Sequence, residues 1–341
     1  MLGQAHHQPH QRRFDFARRT LPGELEAPRG GWLRREEAIL GTAITVELWA
    51  DDARSGAAAC AAVMDEMHRI DRQTSVQRSS SELSRINREA AHHAVALSEG
   101  MFALVARAVE FSRLSRGAFD ISSAAVDRLV DDRCGARPGA VELARAQAAV
   151  GWQHLRLDAR ARTLRFGRPG MSIDFGSFAR GHAADRAATL LRRRGIRHAL
   201  VSAGGDSRVI GDRRGRPWSV AISDPRRTGE ALSVLPLEDV SVSTAGSDER
   251  GHDERGTDGL TRVTVLAADG LTSAALSKAV RVLGAARGLA LIESLAGVRA
   301  VAVDAAGRLH ASSGLLDGTA ARHARNERAL GAMGAAATVV S

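Results

Sequence analysis

The chain has 341 residues, of which 44% are hydrophobic and 26% charged, and its formal net charge is +9. This balance is typical of a soluble globular protein, and the length allows one large domain or two ordinary ones. No apolar run is long enough to cross a bilayer, and two cysteines are too few for a disulfide framework or a zinc site.

The positive charge raises the question of nucleic acid as a partner. Lys278 is the only lysine, so arginine supplies nearly all of the basic residues, and these are spread along the chain. Aromatic residues make up only 4% and tyrosine is absent, which leaves few side chains for stacking on bases. We therefore expect no nucleic-acid partner.

The ends of the chain differ in composition from its middle. Residues 1–36 contain arginines but no apolar segment of a secretion signal and no lipobox, which predicts a disordered basic tail and a cytoplasmic protein. Residues 317–341 predict a flexible C-terminal tail. Residues 37–316 show no break in composition, so we expect one domain there.

Hydrophobic periodicity predicts strands and helices that do not alternate strictly. The first half of the chain predicts a strand at 42–49, a helix at 55–70, a short helix capped by Ser79 and Glu82, a helix capped by Ser98 and a helix ending near Val150. Strands at 154–157 and 163–166 and a helix at 177–195 follow. The remainder predicts strands at 197–202, 218–222, 240–243 and 262–267, helices at 273–283 and 287–295, and a hairpin at 298–303 and 308–311. This order favours an α+β fold over a doubly wound sheet. We expect a single compact body of two lobes, with mixed or antiparallel sheets, flanking helices and a cleft between the lobes.

Residues 171–185, MSIDFGSFARGHAAD, contain the most informative motif. The pattern predicts a short strand that brings Asp174 to a glycine turn, followed by a helix with Arg180 in its first turns. The start of a helix attracts anions through its N–H groups and dipole, and the arginine would add positive charge, so phosphate is the expected ligand. The alternative is an ordinary connection with a solvated arginine.

Several segments in order resemble one family, the ApbE-type FAD:protein FMN transferases, over about residues 40–313. They are LGTAITVEL from Leu40, IDRQTSVQRSSSELSRIN at 70–87, RGAFDIS at 116–122, SIDFGSFARGHAAD, VSAGGD at 201–206, PWSVAISDP at 217–225, SVSTAG at 241–246 and ALSKAVRVLG at 275–284. The resemblance implies an ApbE-like fold and an enzyme that cleaves the FAD pyrophosphate. It would attach FMN to a threonine or serine hydroxyl of an acceptor protein, with Mg²⁺ near the phosphates.

The resemblance also implies a set of flavin contacts. These are Leu40, Gln77, Ala118, Phe119, Asp120, Asp174 and Arg180, with Gly204, Gly205 and Thr244 as further candidates. Carboxylates can accept hydrogen bonds from the ligand, and arginine can pair with a phosphate. The alternatives are core packing for Phe119, a turn or cap for Asp120, and tight turns for the glycines.

The chain departs from the family pattern at several of these places. Leu40 replaces a usual methionine, Gln77 a usual aromatic residue, and Ser177 and Arg180 a usual glycine and lysine. The loop at 251–259 is shorter than in the family. His252 is a candidate catalytic residue if it is what remains of a histidine-containing segment, and the alternative is a solvated loop residue.

The largest departure concerns the metal. The family places aspartate and threonine four residues apart on one helical face, where this chain has Ala274 and Lys278. Neither side chain can bind Mg²⁺, so Ser177 is the one remaining metal ligand to consider, and a weak one. The alternative is a metal ion bound mainly through the pyrophosphate and water.

Lys278 is the second candidate catalytic residue, because its charge equals that of Mg²⁺ with one aspartate. The alternative is a lysine that extends to the surface beside an eroded site. Two functions therefore stay open: an FMN transferase, and a non-catalytic FAD-binding sensor, carrier or chaperone.

Overall fold

The computed structural model describes residues 30–127, 129, 139–224, 226–227, 230–246 and 259–315. The helices described are α1 Ala53–Thr74, α2 Glu82–Glu89, α3 Glu99–Leu114, α4 Ala124–Asp127, α5 Ala140–Ala149, α6 Ser177–Arg193 and α7 Gly270–Glu293. The strands are β1 Gly31–Ile39, β2 Thr42–Ala50, β3 Val95–Ala96, β4 Leu155–Asp158, β5 Thr163–Phe166, β6 Ala199–Ala203, β7 Asp206–Ile210, β8 Trp218–Ser223, β9 Ala231–Leu237, β10 Ser241–Gly246, β11 Leu260–Ala267, β12 Arg299–Asp304 and β13 Leu309–Ala311. Short 3₁₀ turns lie at Ile121–Ser123 and Trp152–His154.

The main sheet has eight strands in the order β1-β2-β6-β7-β10-β11-β12-β13, and each neighbouring pair is antiparallel. A three-stranded sheet, β3-β5-β4, and the hairpin β8-β9 are separate from it. The α+β class expected from the sequence is confirmed. None of the helices in the described part of the chain has the length and apolarity needed to span a bilayer.

The main sheet is covered on both faces, and this arrangement positions α6 and α7. Apolar side chains of α1 and α6 pack on β1, β2 and β6, whereas the β8-β9 hairpin covers the opposite face. A further cluster joins α2, α3 and the small sheet to α7 and β11. The small sheet with its helices forms the second lobe, and this shared core holds it against the first.

The strand β1 corrects the predicted boundary of the N-terminal tail. Residues 31–36 belong to the main sheet, because β1 pairs with β2 over its full length. Its charged side chains face solvent and hide the alternation typical of a strand, which suits an edge strand that must avoid further pairing. Residues 1–29 and 316–341, with the rest of both predicted tails, lie outside the described residues.

The helix caps and the break in the last helix also differ in part from the sequence-based prediction. Ser81, rather than Ser79, caps α2 by accepting from the Ser84 N–H at 2.9 Å. Glu82 instead accepts from the N–H and hydroxyl of Ser98 at 2.6 and 2.7 Å, because Ser98 begins α3 close by. The predicted break between the last two helices is present at Gly284, whose φ of 78° interrupts α7.

The strand expected before Gly176 needs correction, whereas the turn after Ala203 is present at Gly204 and Gly205. Residues 171–175 pair with no strand; Ile173 instead exchanges two hydrogen bonds with the Asn87 amide at 2.8 and 2.9 Å. Asp206 begins the fully buried strand β7, which the polar sequence DSRVI conceals. The strand β9 is a further element that the sequence pattern does not predict.

Candidate functional site

A cleft of about 890 Å³ lies where the start of α6, the middle of α7 and the end of β10 face the segments around α2 and the Ile121–Ser123 turn. Most of the predicted site residues line this cleft: Gln77, Ala118, Phe119, Asp120, Asp174, Ser177, Arg180, Thr244 and Lys278. The fold therefore brings together residues that are about 200 positions apart in the chain. His252 lies outside the described residues, so its catalytic role stays a prediction.

The start of α6 opens into the cleft. Gly176 has φ 52° and ψ −124°, a conformation that side chains disfavour, and it gives the helix no side-chain cap. Ser177 follows as the first helical residue; it is 7% exposed, and its Oγ has no hydrogen-bond partner in the described structure. A buried hydroxyl without a partner costs free energy unless a ligand completes its hydrogen bonding.

Lys278 reaches the same place from α7. A Cβ at position 176 would lie 3.1 Å from the Lys278 Nζ, so glycine is what allows the ammonium to approach the helix start this closely. No carboxylate in the described ranges forms an ion pair with Lys278. A half-buried ammonium beside an uncapped helix start creates a site for an anion.

Arg180 lies one turn further along α6, and a buried carboxylate holds its guanidinium in place. Its Nε donates to Asp206 at 2.9 Å, and that carboxylate also accepts from the Ser243 hydroxyl at 2.6 Å. Ser243 and Ser277 are in turn 3.0 Å apart, which links the arginine to α7. The side chain of Arg180 is 14% exposed and that of Asp206 is 2% exposed. The pair fixes the guanidinium at the wall of the cleft.

Asp120 and Phe119 line the cleft but have clear structural roles. Asp120 accepts from the backbone and hydroxyl of Ser122 at 2.9 and 2.7 Å, and from the backbone N–H of Trp152 at 2.9 Å. It is thus the cap that the sequence offered as the alternative. Phe119 is 3% exposed and packs on Phe178 with ring centroids 5.2 Å apart, so it belongs to the core beneath the cleft.

Leu40, Gly204 and Gly205 are not part of the cleft lining, and each supports a residue that is. Leu40 has φ 56° and Gly41 φ 73°, which gives the β1-β2 hairpin a turn with positive φ at both positions and places Gly41 and Thr42 on the cleft. A Cβ at Gly204 would lie 2.9 Å from the Thr42 hydroxyl. The Gly205 carbonyl accepts from the Thr244 N–H at 2.9 Å.

Many lining residues were not expected from the sequence. Asn87, Arg88, Asp127, Ser277 and Arg281 are among them. Arg281 lies three positions after Lys278 on α7 and so on the same helical face, a spacing that could have identified it. With them, cationic side chains at 88, 180, 278 and 281 outnumber the carboxylates at 120, 127 and 174 among the lining residues described.

The residues present do not fit a magnesium ion. Ala274 is fully buried and offers no ligand atom, and Lys278 carries only donors. The described residues contain no group of three histidine, cysteine, aspartate or glutamate side chains that could bind a metal. The Ser177 hydroxyl by itself is too weak a ligand for Mg²⁺, which prefers several oxygen ligands.

Comparison with known proteins gives a consistent result. The model of the ApbE family matches residues 40–302. The FAD:protein FMN transferase of Treponema pallidum is 28% identical over 319 residues, covering 83% of this chain and 87% of that protein. The protein of the same name from Vibrio cholerae is 28% identical over 252 residues, covering 67% of this chain and 74% of its own length.

Solved structures share the fold. A crystal structure of the ApbE protein from Thermotoga maritima superposes with a TM-score of 0.75 at 24% identity, covering 84% of this chain and 98% of that chain. The apo form of the flavinyl transferase ApbE from Pseudomonas stutzeri gives 0.73 at 26% identity, covering 84% and 96% of the two chains.

Proposed function

This chain belongs to the ApbE family, and we propose that it transfers FMN from FAD to a threonine or serine hydroxyl of an acceptor protein. The observation that carries the proposal is the anion site where the start of α6, with the partnerless Ser177 hydroxyl, meets the Lys278 ammonium. Relatives named FAD:protein FMN transferase that span most of this chain support the reaction.

The cleft suits the parts of FAD. The helix start, Ser177 and Lys278 would bind the pyrophosphate, and the guanidinium of Arg180, oriented by Asp206, would face it from the same helix. Gln77 and Thr244 would contact the remainder of the dinucleotide. Asp120 contributes by holding the segment that carries Ala118 and Phe119 in place.

The transfer step balances without a further reactant. The acceptor hydroxyl oxygen forms a bond to the FMN phosphorus, and the bond from that phosphorus to the bridging oxygen breaks. AMP leaves with the electron pair and gains one negative charge, while the hydroxyl proton is released to solvent near neutral pH. The protein must therefore orient two reactants and stabilise charge that develops on phosphate oxygens.

The decisive experiment combines the purified protein, FAD and an acceptor domain from a flavinylated protein. We expect the acceptor to gain the mass of one FMN and an equal amount of AMP to appear. Free FMN in place of FAD is the matched control, since it has no pyrophosphate to cleave. FAD binding without AMP release or labelled acceptor would favour the non-catalytic FAD-binding function, for which the poor metal-ligand set is the supporting observation.

A separate prediction concerns ligand preference. Because Lys278 and Arg180 lie beside the start of α6 in the cleft, we expect FAD to bind more tightly than FMN, and FMN more tightly than riboflavin. Isothermal calorimetry with the three flavins measures this order. Equal affinity for all three would mean that the α6 site does not bind phosphate.

A further inference from the structure

We infer that the Lys278 ammonium takes the place of the divalent cation in this chain, so that the FAD pyrophosphate is bound and cleaved without a metal ion. The inference rests on the proposed function and deepens it. It starts from the disagreement between the magnesium that the family implies and a cleft whose described residues include no group of three histidine, cysteine, aspartate or glutamate side chains to bind it.

Lys278 is unusual already for its residue type. It is the one lysine among 48 lysine and arginine residues. Arginine and lysine differ chemically: the ammonium is a compact point charge on a flexible chain, whereas guanidinium is a wide planar fork. A compact cation is the better substitute for an ion at a crowded position.

Lys278 lies at a crowded position of the cleft. Its Nζ lies close to the start of α6, where even a Cβ on Gly176 would approach it to 3.1 Å. The Ser177 hydroxyl at the same helix start has no partner among the described residues. Two oxygens of a phosphate group placed there could accept from the ammonium and the hydroxyl together.

The net charge of Lys278 equals that of the metal site it would replace. Mg²⁺ with one carboxylate ligand contributes a net charge of +1, and an ammonium beside a buried alanine contributes the same. No carboxylate among the residues described neutralises Lys278 through an ion pair. Its charge is thus directed at the ligand, where it stabilises the additional negative charge that AMP gains as the phosphorus–oxygen bond breaks.

Binding measurements test the inference independently of catalysis. With EDTA present, we expect FAD affinity to be unchanged in the unaltered protein and about 10- to 100-fold lower in Lys278→Met, the loss typical of a charged hydrogen bond. Riboflavin affinity should be equal in the two proteins, because riboflavin has no phosphate. Circular dichroism confirms that Lys278→Met is folded.

The single lysine also gives a chemical readout. An amine-reactive reagent should modify the peptide that contains Lys278 in the free protein, and saturating FAD should protect it several-fold, with riboflavin giving less protection. Peptide mass spectrometry follows this residue directly, without any variant and without an acceptor.

The rate of AMP release is the last measurement that tests the inference. AMP release should continue in EDTA, and Lys278→Met should reduce it at saturating FAD. A requirement of the unaltered protein for Mg²⁺ in binding or in AMP release would overturn the inference while leaving the FMN transferase function intact. Labelling of Lys278 that FAD does not change, or the absence of FAD binding, would overturn it as well; only the latter also contradicts the proposed function.

Discussion

Arg180 shows how a residue at the cleft can combine binding with stability. The sequence suggested a phosphate ligand, and the structure adds a buried carboxylate, Asp206, that fixes the guanidinium through Nε. Such a pair is sensitive to the loss of one partner, since the remaining charge stays buried. The arginine therefore cannot be changed without an effect on folding.

We expect Arg180→Ala to lower the free energy of unfolding by about 3 to 5 kcal/mol, the usual cost of leaving a buried charge without its partner. Adding Asp206→Asn should restore part of the loss, because the carboxylate charge is then absent. Urea unfolding of the single and double variants measures both effects.

Arg107→Ala is the matched control for this experiment. Arg107 pairs with Glu110 at 2.7 Å, but both side chains are about half exposed. We expect a change of less than about 1 kcal/mol there, as for other surface pairs. An equal loss in Arg180→Ala and Arg107→Ala would show that the Asp206 pair is not the buried interaction described.

At the scale of elements, the contact between α6 and α7 decides where the anion-binding groups meet. Gly181 and Gly270 touch backbone to backbone: a Cβ on Gly181 would lie 2.7 Å from the Gly270 carbonyl carbon and 3.2 Å from the Ala274 Cβ. Asp185 strengthens this contact by accepting from the Gly270 N–H at 2.7 Å. Because α6 carries Ser177 and α7 carries Lys278, the spacing of the helices sets the anion site.

Gly181→Ala should therefore destabilise the protein by about 1 to 3 kcal/mol, since the added methyl group must push two backbones apart. FAD affinity should fall as well, because Lys278 moves away from the helix start. Thermal unfolding and calorimetry measure the two effects.

Gly100→Ala is the control, because Gly100 lies in α3 with no atom within 4 Å of an added Cβ. It should be neutral or stabilise by up to about 1 kcal/mol. If Gly181→Ala were as harmless as Gly100→Ala, the close helix contact would not exist in solution.

For the molecule as a whole, two partly buried groups of α6 make the stability respond to pH in opposite directions. Burial lowers the pKa of His182 from 6.5 to about 4, and the charges of Arg186 and Arg69 add to this effect, against a smaller opposing effect of Glu66. The folded protein thus resists protonation of His182. Its contribution to stability is lost as the pH falls from 6.5 towards 4.

The titration of Asp185 changes the stability in the opposite direction to that of His182. Burial raises the pKa of its carboxyl from 3.8 to about 6, with a further rise from Asp269, while the Gly270 hydrogen bond and the Arg208 charge oppose the shift. The folded state then holds a proton that the unfolded state has released. The contribution of Asp185 to stability is present at low pH and is lost as the pH rises from about 4 to 6.

These two effects should largely cancel between about pH 4 and 6. Relative to the unaltered protein, Asp185→Asn should lose stability as the pH is lowered through this range, and His182→Gln should gain it. Denaturant unfolding midpoints at several pH values measure the difference. Parallel curves for all three proteins would contradict the shifted pKa values.

From the sequence alone, the α+β class, the ApbE family and nine of the residues that line the cleft could be predicted. Local patterns suffice for this: the Ser98 cap, the helix break at Gly284 and the glycine turn before Ser177 depend on neighbouring residues. The order of the family motifs along the chain indicated the rest.

The roles of these residues depend on contacts that form only when the chain is folded. The Arg180–Asp206 pair, the approach of Lys278 to Gly176 and the hydrogen bond from the Trp152 backbone N–H to Asp120 join segments 26, 102 and 32 positions apart. Strands β1 and β7 stay hidden in the sequence because their polar side chains face solvent or find distant partners. Such contacts follow from packing between elements, which hydrophobic periodicity along the chain does not encode.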